Sequence, residues 1–557
     1  MCGIIGGNKF KNDTKIQQGL LSIIHRGKDD NTIFSFDNNM YLSHNRLSIQ
    51  DLSEVANQPM VSDDSRYYLA FNGELWKSSF DKFDKKLRKL YNFKTQRSDS
   101  ELLLYYLIHN IENIGRSLRE LDGMFAFSLY DSETKTTYLG RDFIGRMPLY
   151  YHYDGEKFGY CSEAKGLRVG LDTPYYKIDV KSKYHKMADV KDKETIYPVL
   201  PGHLITFEPH PFVTDSYEIK EEVWYTFKDE YDKDNQSYYT RDEEQFRHFE
   251  QEDKGVDYYV NGFKDIVNEA VDNELISDVP VCTILSGGID STIITYLLSK
   301  KLKNVEAFVV NVNPLRKSKY KDDLYYARMA AKEFGIKLHE VNVDREDIEK
   351  KLKESIWASE TFKWTQVSPA VAQLFLAEEI EKQGYKVVFG GEGADEIFAS
   401  YGDVKRFCWN EPVHWHQKRI NLLNGLHKSN LVRTNKSMMY GGTVELRTPF
   451  LNKEVIDFGL RIPTKYRDEN YEVRKNFEYK TTEHSDGNVM KFILRKAFEN
   501  DISEELLWRP KKTFQVGCHT DYLKTEEPMM YKVFGELFVK GNGYTEYLSK
   551  SDKKINL

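Results

Sequence analysis

Cysteine is sparse in this 557-residue chain, and the five that occur, Cys2, Cys161, Cys282, Cys408 and Cys518, form neither a C-x-x-C pair nor a cluster with histidine. Neither a disulfide framework nor a zinc-ligand motif is therefore expected. Long apolar runs are missing as well: none approaches the roughly 20 residues that span a bilayer, which excludes an integral membrane protein. Nor does one sign of charge dominate. Lysine and arginine number 80 against 87 aspartates and glutamates, a net −7 with both signs mixed along the chain. Without a basic stripe, nucleic acid is not an expected partner. The start, MCGIIGG, has no basic n-region and no apolar h-region, so no secretory signal is read and the cytoplasm is the expected compartment. There is no internal repeat.

What is present is the material of a large globular enzyme. The length exceeds what one hydrophobic core usually organises, so two domains are expected. Residues 1–212 read as short β-rich segments, among them MYLSHNRLSI, RYYLAFNGEL, MFAFSLYD and LITFEP, with a helical pattern near Asp99–Ile108. Residues 213–257 turn charged and read as an elaborated linker, although Trp224 and Tyr225 argue against full disorder. From residue 258 strands and helices alternate, as in a parallel α/β sheet. The strand VPVCTIL runs into SGGIDS, the helix IITYLLSKKL and the strand VEAFVVNV follow, then DDLYYARMAAKEFG, IKLHEVNV, AVAQLFLAEEIEKQG, and YKVVF ending at GGEGADE.

Three places carry chemistry. Cys2 directly follows Met1, and removal of Met1 would leave a thiol and a free α-amine on one residue. The amine, with a pKa of about 7.7 to 8.0, can take the thiol proton. Ser286-Gly287-Gly288-Ile289-Asp290-Ser291 sits between a strand and a helix, where backbone N–H groups and the helix N-terminus make an anion site. It lacks the lysine of a Walker loop. Gly390-Gly391-Glu392-Gly393-Ala394-Asp395-Glu396 again ends an apolar strand, and Asp290 and Asp395 are natural magnesium ligands.

Taken together, MCGIIGG, HNRLSIQDLS, Asn72-Gly73-Glu74, Ser98-Asp99 and GMFAFSLYDSETKTTYLGRDFIGRMPLYY resemble class II glutamine amidotransferase domains. The resemblance implies Cys2 as nucleophile, with Asn72 and the Gly73 N–H as oxyanion hole. It implies a glutamine pocket of Arg46, Leu47, Ile49, Asn72, Gly73, Glu74 and Asp99. Singly, these have ordinary readings: Arg46 as a surface cation, Asn72-Gly73 as a hairpin turn, Asp99 as a helix cap. The second half resembles ATP-pyrophosphatase enzymes, which cleave ATP to AMP and pyrophosphate. Nearly the whole chain outside the linker is similar to glutamine-hydrolysing asparagine synthetases. That likeness implies an ATP site of Leu285, Ser286, Gly287, Gly288, Asp290, Ser291, Val310, Gly390 and Gly391. It implies Glu392 beside the acyl-adenylate and Lys491, in VMKFILRKAF ahead of WRPKKTF, against the departing pyrophosphate; Glu445 and Arg447 are left as structural or substrate-facing.

Two segments depart from the family pattern. His25-Arg26-Gly27-Lys28-Asp29 carries lysine where proline is usual, and Glu360 to Pro369 lacks the arginine of a threonine-rich loop. The expected architecture is an α+β N-terminal-nucleophile sandwich of αββα type over 1–212, a linker over 213–257, and an α/β doubly wound parallel-sheet ATP-pyrophosphatase domain with a helical C-terminal part over 258–557. The expected reaction uses glutamine, ATP, magnesium and aspartate, in a homodimer. The alternatives are amidation of another carboxylate, such as a sugar acid or peptide, and a hydrolase with a non-catalytic second half.

Overall fold

The computed structural model describes residues 1–36, 39–171, 177–178, 195–227, 253–313, 322–401, 412–463, 466, 490–509 and 518–538. The sequence expectations for 228–252, for 510–514 of WRPKKTF and for the C-terminal end from 539 lie outside them. In the first half the strands are β1 (Gly3–Gly7), β2 (Asp30–Ser35), β3 (Tyr41–Arg46), β4 (Met60–Val61), β5 (Tyr67–Leu75), β6 (Gly123–Asp131), β7 (Thr136–Arg141), β8 (Tyr150–Tyr153), β9 (Phe158–Cys161), β10 (Lys177–Ile178), β11 (Thr195–Pro198), β12 (His203–Pro209) and β13 (Tyr217–Val223). They build a seven-stranded sheet, ordered β10-β11-β8-β9-β1-β3-β2, and a six-stranded sheet, ordered β13-β12-β7-β6-β5-β4.

The two sheets face each other, and Phe158 of β9 stacks on Phe207 of β12 with ring centroids 4.0 Å apart. Helices Asp13–Ser22 and Ala164–Leu171 cover the outside of one sheet, and Asp99–His109, with Lys77–Leu87 against it, covers the other. This is the αββα order. It explains why β6, GMFAFSLYD, is buried at every residue instead of alternating: one face meets a sheet and the other a helix layer. Glycine lets the outer helices close up, since a Cβ on Gly19 would lie 2.9 Å from the Gly166 carbonyl.

The linker expectation is corrected at its start. Tyr217–Val223 pairs with β12 along its whole length as an edge strand, and Trp224 beyond it is buried and stacks on Phe125. Edge strands facing water carry charges that discourage further pairing, so YEIKEEV reads by composition as linker.

The second half holds β14 (Val281–Ile284), β15 (Glu306–Val312), β16 (Lys337–Val343), β17 (Val387–Phe389) and β18 (Glu445–Arg447), all parallel, in the order β16-β15-β14-β17-β18. Helices Ile289–Lys301 and Asp323–Phe334 bury their apolar sides in one hydrophobic cluster, and Arg345–Ser359 and Trp364–Lys382 bury theirs in another. Chain order reverses between β14 and β17, which is where open parallel sheets bind ligands. SGGIDS and GGEGADE leave those two strands. The stretch Glu360 to Pro369 is irregular only to Lys363; Trp364 opens a helix that contains Pro369. No helix among the described residues is long and apolar enough to cross a membrane.

The halves meet across a buried polar seam. Arg146 pairs with Glu274 at 2.8 Å, Arg26 donates to Asn435 at 3.3 Å, and Lys436 pairs with Glu360 and donates to the Tyr150 hydroxyl. The N–H of Asp278 donates to the Ile49 carbonyl at 3.0 Å.

Candidate active sites

Cys2 leads into β1 and is almost fully buried. Its N–H donates to Asn72 Oδ1 at 3.0 Å, and the Leu47 N–H lies 3.4 Å from its Sγ. Because the carbonyl end of the Asn72 amide is used this way, its Nδ2 is left buried with no hydrogen-bond partner. Buried donors are normally satisfied, so this amide N–H is free to donate to an acceptor brought beside the Cys2 sulfur. Gly73 next to it has φ +149°, and a Cβ there would sit 2.0 Å from the Met124 carbonyl, so no other residue fits. Burial raises the Cys2 thiol above its ordinary range, with the N-terminal charge and the Leu47 hydrogen bond opposing.

Around this pair lies an acidic pocket. Glu74 and Asp99 are both buried, and the Leu75 N–H donates to Asp99 at 3.2 Å. Burial, then the charges of Glu445 and Asp99, push Glu74 well above the usual carboxylate range. Burial likewise pushes Asp99 up to about 6, against hydrogen bonds from the Leu75 and Ser100 backbone. Two carboxyls held so unfavourably would be relieved by a cation. Arg46 donates to the Ser53 and Asp51 carbonyls and to Asn57, fixing the loop that follows β3. The Ile49 side chain is buried in the core, and its carbonyl is already engaged by Asp278.

At the switch point the two glycine loops touch: a Cβ on Gly391 would lie 2.6 Å from the Ser291 nitrogen. Gly287 has φ +70°, and a Cβ there would lie 2.6 Å from the Asp323 carbonyl. Ser291 Oγ donates to the Gly288 carbonyl at 3.1 Å and lies 3.0 Å from Ser286 Oγ. Lys491 approaches from the far end of the sequence, its backbone left-handed at φ 61° ahead of the short helix Phe492–Ala497. Its Nζ lies 2.6 Å from both Asp290 and Asp395. Burial opposes the ammonium, but these carboxylates outweigh it and raise its pKa. Ser286 and Val310 line a cleft together with Ile284, Asp323, Leu376 and Cys518, whereas the Leu285 side chain is wholly buried in the core. Glu392 Oε2 is buried without a partner, and burial raises its pKa.

Sequence reading missed Arg509, which donates to the Gly287 carbonyl and to Asp323 at 2.6 Å, and missed Asp323 and Cys518 at the cleft. Nothing local marks them. It left Arg447 open; the fold makes it a bridge. Arg447 pairs with Glu445 at 2.9 Å and stands 3.8 Å from Glu74 of the Cys2 pocket, while its carbonyl accepts the Gly390 N–H at 2.9 Å.

Comparison with known proteins finds two matching families. Residues 1–218 match the glutamine amidotransferase domain family, and residues 262–423 and 409–546 match the asparagine synthase family. The glutamine-hydrolyzing asparagine synthetase of Pongo abelii is 29% identical over 541 residues, covering 93% of this chain and 84% of that protein. The glutamine-hydrolyzing asparagine synthetase B of Escherichia coli K12 is 28% identical over 544 residues, covering 94% and 84%.

Proposed function

The chain belongs to the asparagine synthase family, and from that premise we propose that it makes asparagine from aspartate with ammonia cut from glutamine and with ATP cleaved to AMP and pyrophosphate. The observation that carries this reading is Arg447, whose side chain faces the Cys2 pocket at Glu74 while its backbone holds the Gly390 loop. Two half-reactions thus share one buried strand.

With Met1 removed, the Cys2 nitrogen becomes the α-amine that accepts the thiol proton. Sulfur attacks the glutamine side-chain carbonyl, and the oxyanion falls to Asn72 Nδ2 and the Gly73 N–H. Ammonia leaves with that proton, and water hydrolyses the thioester to glutamate. Glu74 and Asp99 neutralise the glutamine ammonium, and Arg46 faces its carboxylate. In the second half, the Ser286 to Gly288 loop and the N-terminus of Ile289–Lys301 receive the phosphates.

No three His, Cys, Asp or Glu among the described residues converge on one point. Asp290 and Asp395 do already share one cation, Lys491. Their hard oxygen donors fit magnesium with water and phosphate completing the shell, so these two would hold it, and when bound it supplies positive charge to the triphosphate. Lys491 is then free to follow the departing pyrophosphate. The aspartate side-chain carboxylate attacks the α-phosphorus and pyrophosphate leaves; ammonia attacks the resulting acyl carbon, a proton goes to Glu392, and AMP leaves.

Product identification tests this. Glutamine labelled with nitrogen-15 at the amide, ATP, magnesium and a panel of carboxylates are incubated with the enzyme and resolved by mass spectrometry. Labelled asparagine is expected; label appearing only in another amide overturns the choice of aspartate.

A further inference from the structure

The turn between the helix Val256–Glu274 and β14 belongs to the second half of the chain, yet it grips the first half in two places. At its start, Asn273 accepts the Ser78 N–H at 2.8 Å and donates to the Asp122 carboxylate. At its end, Asp278 makes a reciprocal pair with the loop after β3. Its N–H donates to the Ile49 carbonyl at 3.0 Å, and its carboxylate accepts the Asp51 N–H at 2.8 Å. Arg447 stiffens the turn from inside by donating to the Glu274 and Ile276 carbonyls. β14 then begins at Val281 and runs into the SGGIDS loop.

Between the two gripped residues lies Gln50. Its side chain is buried, and its Nε2 donates to Glu74 of the Cys2 pocket. An amide beside a carboxylate turns its N–H toward it, which fixes the other end as the acceptor. That acceptor, Oε1, is buried with no hydrogen-bond partner. Beside a carboxyl that neutralises an ammonium, it is placed to take another of the ammonium's hydrogens. On the far side of Gln50 the segment is held by polar contacts and not by packing. Asp51 is left-handed at φ 50°, a conformation that persists only where the surroundings enforce it. Leu52 and Val55 beyond it are 55% and 58% exposed, so apolar burial does little to fix the loop. The Asp51 carbonyl accepts from Arg46 and its carboxylate from Ser53, both within the loop's own half. Its N–H goes across to Asp278.

We infer that Asp278 is a positioning residue for glutamine capture: by clamping Ile49 and Asp51 it holds Gln50 against Glu74, where the Gln50 carbonyl accepts from the glutamine ammonium. This rests on the reading of the Cys2 pocket as a glutaminase. The first half's affinity for glutamine is then set in part by a turn of the second half, the one that leads into the phosphate loop.

The test follows glutamate release from glutamine. Asp278→Ala removes the acceptor but keeps the backbone bond to Ile49, and should raise the KM for glutamine about tenfold with kcat nearly unchanged. Asp278→Asn keeps an acceptor oxygen and should hold KM near the wild-type value. Gln50→Met should also raise KM about tenfold. Combining Asp278→Ala with Gln50→Met should raise it no further, because the clamp acts through Gln50. Ammonium-dependent synthesis and the KM for ATP should match wild type throughout, which also reports that each variant folds. The inference is overturned by an unchanged KM in Asp278→Ala, by losses that multiply to about 100-fold in the double variant, or by a parallel loss of ammonium-dependent synthesis. Each of these leaves the glutaminase reading standing. A wild type that releases no glutamate overturns that reading, and the inference with it.

Discussion

The Cys2 pocket and the switch-point cleft hold their buried charges in different ways. At Cys2 burial leaves polar groups unmatched: Asn72 Nδ2 is buried without a hydrogen-bond partner, and Glu74 and Asp99 are carboxyls pushed up by burial. At the cleft Lys491 lies between Asp290 and Asp395 and pairs with both, while Glu392 Oε2 stays buried without a partner. Burying a charge is costly unless it is paired, and the pairing is complete for Lys491 but not for the carboxyls around Cys2.

Removing the nucleophile breaks the comparison most completely. Cys2→Ala should lower glutamine hydrolysis by at least about 10⁴-fold and leave ammonium-dependent synthesis at the wild-type rate, read by glutamate and pyrophosphate assays. Residual glutaminase near the wild-type rate would remove Cys2 from the mechanism. Next come the two electrostatic devices, taken as a pair. Asn72→Ala should cost roughly 10²–10³-fold in kcat for glutamine hydrolysis, and Asp395→Asn a similar factor in pyrophosphate release with either nitrogen source. Each should spare the other half-reaction, and a crossed effect would mean that the two sites do not divide as described.

Glu392→Gln probes the join. Glutamine hydrolysis and most pyrophosphate release should persist while the ratio of amide formed to glutamine consumed falls by about tenfold or more; an unchanged ratio makes Glu392 a loop residue only. The smallest effect is on pH. Because Asp99 sits at about 6 in the free enzyme and the glutamine ammonium favours its ionised form, the KM for glutamine should be flat above that value. Below it the KM should rise by up to about tenfold per pH unit. Asp99→Asn should raise KM and flatten that dependence, and a wild-type KM independent of pH between about 5 and 8 would show that Asp99 does not meet the ammonium.

The legible parts of this protein are those where local pattern and chemistry coincide. VPVCTIL, VEAFVVNV and YKVVF read as buried parallel strands because burial on both faces makes them continuously apolar, and the loops that leave them read as anion sites because glycine is required at Gly287. YEIKEEV was misread because an edge strand is exposed, and its composition reports water, not pairing.

By itself, the sequence determined which groups could react: a cysteine after Met1, an amide followed by glycine, and acids set in glycine turns at strand ends. These depend on residues close in the chain, where spacing alone sets geometry. The tertiary structure decided which distant residues meet, because strand order and the packing of two domains act over hundreds of residues. Asp290, Asp395 and Lys491 come together only when the order places β14 beside β17 and the late helix returns over them. Arg447 joins the two pockets for the same reason, since β18 is added beside β17 at the edge that faces Glu74.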